Sequence, residues 1–150
     1  MYLSKLTRTR YLFMVIMSMA TYSTASDTAS LEVQIDDLRN TNGVVQVAIY
    51  NQDGTIPDEN YQNHYQLKTS EIFNNSATIT FDNLPYGTYA INVMHDENNN
   101  GQVDKGFILP KEGIGFSNYT SINLSNRPNF KDASFNLSKD MTKKVTVIYF

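Results

Sequence analysis

The chain has 150 residues, no cysteine and no tryptophan, and carries 12 Lys/Arg against 15 Asp/Glu for a formal charge of -3. Without cysteine there are no disulfide staples, no thiol catalysis, no thiolate zinc and no iron–sulfur cluster, so an apolar core, alone or with a bound ion, must hold the fold. The acidic balance, with no Lys/Arg cluster interleaved with aromatics, excludes a nucleic-acid surface.

The first 25 residues read as a secretory signal peptide. Lys5, Arg8 and Arg10 form a basic start, the apolar run Tyr11 to Ala20 follows, and Ser23-Thr24-Ala25 offers a small-x-small cleavage site. Cleavage after Ala20 is the alternative. The apolar run is about half the ~20 residues a bilayer span requires, so removal is expected rather than a permanent transmembrane anchor. Losing three cations and no acid takes the charge from -3 to -6. Residues 26–150 then make one domain, periplasmic or secreted in a bacterium.

Most periodic segments of this domain repeat every two residues, the signature of strands. Leu31, Val33 and Ile35 alternate with Glu32, Gln34 and Asp36. Asn42-Gly43 follows, and then Val45, Val47 and Ile49 share a face of Val44 to Tyr50. Asn-Gly between two alternating runs predicts that these strands pair as a hairpin. Residues 51–66 are polar, with Asp53-Gly54 and Pro57 as breakers. A short strand is expected over 67–73 and another over Ala77 to Phe81. Asn83 to Gly87 reads as a turn, and Thr88 to His95 as the strand after it, with Tyr89, Ile91, Val93 and His95 on one face and Ala90, Asn92, Met94 and Asp96 on the other.

The segment from Glu97 to about Asn129 is rich in Gly, Asn and Pro and lacks clear periodicity. Loops of that length inside a compact domain are usually functional or wrapped around something. Two closing strands are expected, Phe130 to Leu137 with Ala133, Phe135 and Leu137 on one face, and Lys144 to Phe150 with Val145, Val147 and Tyr149 together. The expected fold is therefore all-β, an antiparallel β-sandwich of six to eight strands, Ig-like or transthyretin (prealbumin)-like.

The densest chemistry lies in His95 to Asp104, HDENNNGQVD. Asp96, Asn98, Asn100 and Asp104 recur at nearly every other residue around Gly101, the pattern by which a tight loop turns short oxygen-bearing side chains onto a hard cation. Gln102 adds its backbone carbonyl. Numbering the loop from Asp96, the twelfth position, where a helix–loop–helix calcium site has a bidentate carboxylate, is Phe107, so the loop is not an EF-hand. The missing carboxylate must come from elsewhere. Glu112 is the best candidate, with Asp132 and Asp53 as weaker ones. The alternative is that these residues simply make Asx turns in a wet loop.

Four segments in order resemble a known family: FDNLPYGTYA (Phe81 to Ala90), HDENNNGQVD, PKEGIGFSN (Pro110 to Asn118) and PNFKDASF (Pro128 to Phe135). Together they resemble the bacterial secreted domain of unknown function 2141, over about Leu31 to Phe150. The resemblance implies a signal peptide and a single small β domain, and implies no activity. A looser likeness is to calcium-stabilised Ig-like or transthyretin-like repeats of bacterial surface proteins, which supports fold and ion but no partner.

Three functions compete. The first is an exported, non-enzymatic module whose long loop is ordered by calcium and which binds a protein or glycan at the cell envelope. The second is a small hydrolase or lyase using His95, Asp96 and Glu112. The third is a purely structural envelope protein. Ser117 lacks a nucleophile-elbow context, and Walker-type and dinucleotide-type glycine spacings are absent. Tyrosines 50, 61, 65, 86, 89 and 119 offer a sugar-stacking face as one reading and edge packing as the ordinary one.

Overall fold

The computed structural model describes residues 27–104, 106, 110–123 and 125–150. The expected signal peptide and Phe107 lie outside the described residues. Within them the elements run β1 (Thr28–Ile35), β2 (Val44–Tyr50), β3 (Gln66–Ser70), β4 (Ala77–Pro85), β5 (Gly87–Asp96), β6 (Gly113–Phe116), α1 (Phe130–Ala133), β7 (Phe135–Leu137) and β8 (Met141–Lys144). Two sheets face each other, one ordered β4-β1-β8 and the other β3-β2-β5-β6, with β7 also pairing β5. All pairings are antiparallel except β1 with β8. The protein is an all-β sandwich, as the alternation predicted.

The inner faces make the main core. Leu31, Val33 and Ile35 of β1 and Ile79, Phe81 and Leu84 of β4 pack against Val45, Val47 and Ile49 of β2 and Tyr89, Ile91 and Val93 of β5. Strands of one sheet alternate cleanly, because their other face meets water. In β2 and β5 both faces are buried. Ala48 and Tyr50, with Ala90 and Met94, join a second apolar cluster containing Ile56, Tyr61, Phe116, Tyr119 and Phe130. The segments after β2 and around α1 thus lie over the outer face of the larger sheet as a third layer.

The hairpin expected from Asn42-Gly43 is not formed. β1 pairs with β4 and β8, whereas β2 pairs with β3 and β5. The reason is that the apolar faces of β1 and β2 meet across the sandwich instead of lying side by side in one sheet. Gly43 has φ +66°, and a Cβ there would overlap the carbonyl of Asp96. The glycine serves a close approach to the end of β5. The expected turn at Asn83 to Gly87 is also different: β4 continues to Pro85, and the chain changes sheets at Tyr86. An irregular register opposite Ser30 leaves Asp82 and Asn83 exposed in succession and returns Leu84 to the core.

The closing segments need correction too. The expected strand over Phe130 to Leu137 divides into a helical turn and β7. The Asn129 side chain accepts the Asp132 amide at 3.0 Å and caps the turn. Ala133 therefore joins the outer cluster while Phe135 and Leu137 face the inner one. β8 ends at Lys144, but the expected face of Val145, Val147 and Tyr149 does pack into the main core. The long excursion holds a strand that periodicity missed, β6. Its glycines leave the inner face bare of side chains, and the C-terminal segment fills that space. A Cβ on Gly115 would lie 2.5 Å from the Thr146 carbonyl oxygen. Ile114 and Ile148 exchange backbone hydrogen bonds of 3.0 and 2.8 Å.

Gly43 and Gly54 both have positive φ, at +66° and +77°, but nothing lies within 4 Å of a Cβ on Gly54. Gly54→Ala should cost only the left-handed backbone penalty, roughly 1–2 kcal/mol. Gly43→Ala adds the overlap with Asp96 and should lose about 1–3 kcal/mol more, read from urea unfolding midpoints of the two variants. Equal losses would mean that the contact with Asp96 is easily relieved.

Candidate metal centre

β5 ends on two residues that alternation sends in opposite directions. His95 points into the main core and Asp96 points outward, and both are fully buried. Antiparallel pairing of His95 with Gly113 brings Glu112 beside Asp96 on the outer face. Glu112 is 3% exposed. Two acidic side chains from adjacent segments are therefore buried next to each other. The exposed loop 97–104 caps them.

That loop closes on its own oxygens. Asp96 accepts the amides of Asn100, at 3.1 Å, and Gly101, at 2.7 Å. Asn98 Oδ1 accepts the Asn100 amide at 3.1 Å, and Asn100 Oδ1 accepts the Gln102 amide at 2.8 Å. These are the Asx turns of the second reading. Gly101 has φ +75°, the left-handed conformation glycine tolerates best. Asp104 receives the side-chain amides of Asn98 and Asn100 at 2.6 and 3.2 Å. Its backbone N–H donates to Glu112 Oε2 at 3.1 Å, and its carbonyl accepts the Lys111 amide at 2.9 Å. The sequence-predicted residues Asp96, Asn98, Asn100, Asp104 and Glu112 thus meet in one network. Gln102 takes part through its backbone, and its side chain is exposed.

Glu112 is the uncompensated member. Its Oε1 is buried and has no hydrogen-bond partner. Burial pushes its carboxyl above the ordinary value, the Asp104 amide opposes this, and the charges of Asp96, Asp104 and Glu97 raise it further. Among the described residues no three His, Asp or Glu side chains already stand at metal-ligand spacing. On Asp104, the amide hydrogens of Asn98 and Asn100 occupy the place that a cation would take. Rotation of an Asn side chain exchanges its nitrogen for its oxygen. The set then offers oxygens from Asp96, Asn98, Asn100, Asp104 and Glu112, the hard ligands that calcium takes in groups of about six to eight.

Other candidates sit elsewhere. His95 Nε2 lies 2.9 Å from the Asn42 carbonyl and Nδ1 lies 2.6 Å from the Tyr149 hydroxyl. Because the carbonyl can only accept, Nε2 donates to it, and in a neutral ring Nδ1 then accepts from Tyr149. Both nitrogens are used inside the core, on the face opposite Asp96 and Glu112, so the three do not converge as a catalytic set. Asp132 is held by Asn129 in the α1 cap and Asp53 by the Gly54 amide in an exposed turn. The tyrosines form no common face: Tyr50, Tyr61, Tyr89 and Tyr119 are buried, and Tyr65 and Tyr86 are exposed.

An adjoining clamp was not visible in the sequence. Arg39 pairs with Glu97 through both carboxylate oxygens, and its guanidinium also donates to the Lys111 carbonyl at 3.1 Å. It lies 4.6 Å over the Tyr149 ring, and its backbone amide donates to the Tyr149 hydroxyl at 3.2 Å. One cation thereby ties the loop after β1, the acidic loop, the approach to Glu112 and the C-terminal segment. The partners are 58 to 110 residues apart, and no local pattern signals such a pairing. Tyr61, which the sequence offered only as part of a tyrosine face, is buried near Asp96 and Glu112, and desolvation, with the neighbouring Tyr50 and acids, drives its hydroxyl well above the ordinary range.

The Arg39 hydrogen bonds hold the Glu97 carboxyl at about 2, against an ordinary 4.5, with Asn40 assisting. A depressed carboxyl adds stability above the unfolded-state value and loses it as pH falls towards the folded one. Wild type should therefore lose stability between pH 4.5 and 2, and Arg39→Gln should lose less over the same window. Urea unfolding at pH 6, 4 and 2.5 checks this, and parallel pH profiles for both proteins would contradict it.

Among the described residues no helix is long and apolar enough to cross a membrane. No curated protein and no solved structure matches the chain. A family model described as an uncharacterized protein conserved in bacteria matches residues 33–146, a span that contains β2 to β8 and the whole acidic loop. The chain belongs to that bacterial family, domain of unknown function 2141.

Proposed function

We propose that the chain is an exported, non-enzymatic β-sandwich module of the bacterial envelope whose acidic loop is ordered by calcium for contact with a protein or glycan. One observation carries the ion: Glu112 Oε1 is buried without a partner beside Asp96 and Asp104. Burying like charges together raises their energy, and a divalent cation supplies the missing partner and removes the repulsion. Asp96, Asn98, Asn100 and Asp104 provide loop ligands, Gln102 its carbonyl, and Glu112 takes the part that the twelfth loop residue plays in helix–loop–helix sites. With three carboxylates, an affinity of about 10⁻⁵ to 10⁻³ M, typical of extracellular modules, is expected.

Export is supported by the basic start, the short apolar run and the Ser23-Thr24-Ala25 step. A non-catalytic role is supported by His95, whose two nitrogens are both bonded within the core. The ordered loop is then a recognition surface displayed by a rigid sandwich.

Calcium at a hundredfold excess over its dissociation constant should stabilise the folded chain by about 2.7 kcal/mol relative to chelator. Glu112→Gln should abolish that increment while leaving the chelated protein at least as stable as wild type, because the unpaired buried charge is gone. Identical melting curves with calcium and chelator would end the ion reading. N-terminal sequencing of the protein made in a bacterial host tests export, with a mature start at Ser26 expected and an intact Met1 start contradicting it.

A further inference from the structure

The connection from β3 to β4 holds an aromatic ring in water. Phe73 is 79% exposed, against 45% or less for every other large apolar side chain among the described residues. Single exposed apolar residues are common, and most need no account. What sets this one apart is how it is held. Phe73 and Ser76 exchange backbone hydrogen bonds of 2.9 and 3.0 Å. Asn74 and Asn75 between them have φ +51° and +59°, both left-handed, so the chain reverses in a tight type I′ turn. The turn is then fastened to the sandwich. Asn75 donates its side-chain amide to the Leu38 carbonyl at 2.5 Å, and its own carbonyl accepts the Leu38 amide at 3.0 Å. Leu38 belongs to the main core, and Ile72 packs against that core. The backbone under Phe73 is thus fixed on both sides of the ring.

Register places this turn at the same end of the sandwich as the candidate metal centre. Ile35 pairs with Ala77, Val45 with Ser70 and Val44 with Asp96, so the connections after β1, β3 and β5 all leave the sheets there. Leu38 and Arg39 are neighbours in the first of them. One fastens the Phe73 turn and the other takes Glu97. The ring has acid around it. Asp36 is paired with Lys144 at 3.6 Å, whereas Glu71 and Asp37 are exposed and, among the described residues, make no ion pair. This end therefore presents one fixed aromatic projection bordered by unbalanced negative charge.

We propose that Phe73 anchors a protein partner to this end of the sandwich, its ring entering an apolar pocket whose rim carries Lys or Arg opposite Glu71 and Asp37. A projecting ring needs a concave acceptor, and aromatic residues are enriched at the centre of protein interfaces while polar groups gather at the rim. The acids choose among partners. An anionic lipid surface is repelled, a neutral glycan leaves the charges unbalanced, and a second copy meeting this one end to end sets acid against acid. The inference rests on the recognition role proposed above and gives it a partner class. It does not rest on the ion, because the turn is fastened by Leu38 and the core and not by the acidic loop.

Photo-reactive benzoylphenylalanine, placed in turn at positions 73, 86 and 102 in the bacterium that makes the protein, tests this. Tyr86 is half-exposed at the other end of the sandwich, and Gln102 is exposed on the acidic loop. Light should give a discrete protein adduct from position 73 and none from position 86, and mass spectrometry identifies its partner. That partner, purified, should bind the wild-type protein with an affinity that falls as salt rises, and should bind Phe73→Ala at least about tenfold more weakly. The removed ring is mostly in water, so the urea midpoint of Phe73→Ala should match wild type. Titrations in calcium and in chelator keep the answer apart from the ion: a tenfold loss seen in chelator stands whatever the loop binds. An adduct from position 102 without one from 73 keeps the recognition role and ends this inference. It is also overturned if the adduct is with a second copy of the chain, if phosphatidylglycerol vesicles bind the protein through Phe73, or if the purified partner binds Phe73→Ala as tightly as wild type or is indifferent to salt.

Discussion

The structure turns on two acids buried side by side at the end of β5. Asp96 is the last residue of that strand, and Glu112 stands just before β6. Pairing of β5 with β6 brings both to the outer face, where the loop between them shuts out water. Every neighbouring device addresses that concentration of negative charge. Backbone amides of Asn100 and Gly101 bind Asp96, the Asp104 amide binds Glu112, and Arg39 takes Glu97. One oxygen of Glu112 is left without compensation. That unmet oxygen is what the proposed calcium ion would satisfy.

How much of this could be read from the sequence depended on what each residue was placed to touch. Period-two alternation located β1, β2, β4 and β5, because inner-face residues such as Leu31, Val47, Phe81 and Ile91 must be apolar whatever lies beyond them. It failed at β6, where Gly113 and Gly115 stand in the inward positions and Val145, Val147 and Tyr149 supply the missing apolar surface from a distant segment. It failed again before β7, although Asn129 with Asp132 three residues on is a recognisable helix start. The Asn-Gly pair misled for a steric reason. A hairpin and a close approach to a neighbouring carbonyl both demand glycine, and local sequence cannot distinguish them.

The acidic loop was more legible than the fold around it, since its oxygen-bearing side chains from Asp96 to Asp104 lie within nine residues. Glu112 was reachable only by elimination, and the structure supplies what spacing could not, its burial beside Asp96. The groove of about 740 Å³ on the outer face of the larger sheet had no signature at all. Asp58, Asn92 and Ile122 belong to segments separated by some thirty residues each, and they meet because the third layer is made of excursions rather than strands. The candidate metal centre and the groove are built on the same sheet: Ile114, on the groove lining, is two residues from Glu112.

The pairing of β1 with β8 has a consequence for how order arises. Leu31 lies against Met141 and Gln34 against Lys144, and the Val145 amide continues the ladder to Gln34. The earliest described strand is stitched to the latest, and the latest segment also seals the glycine-lined flank of β6. No partial chain contains a finished sheet pair with its interior covered. With most of its contacts spanning large sequence distances, the domain should fold slowly for its size.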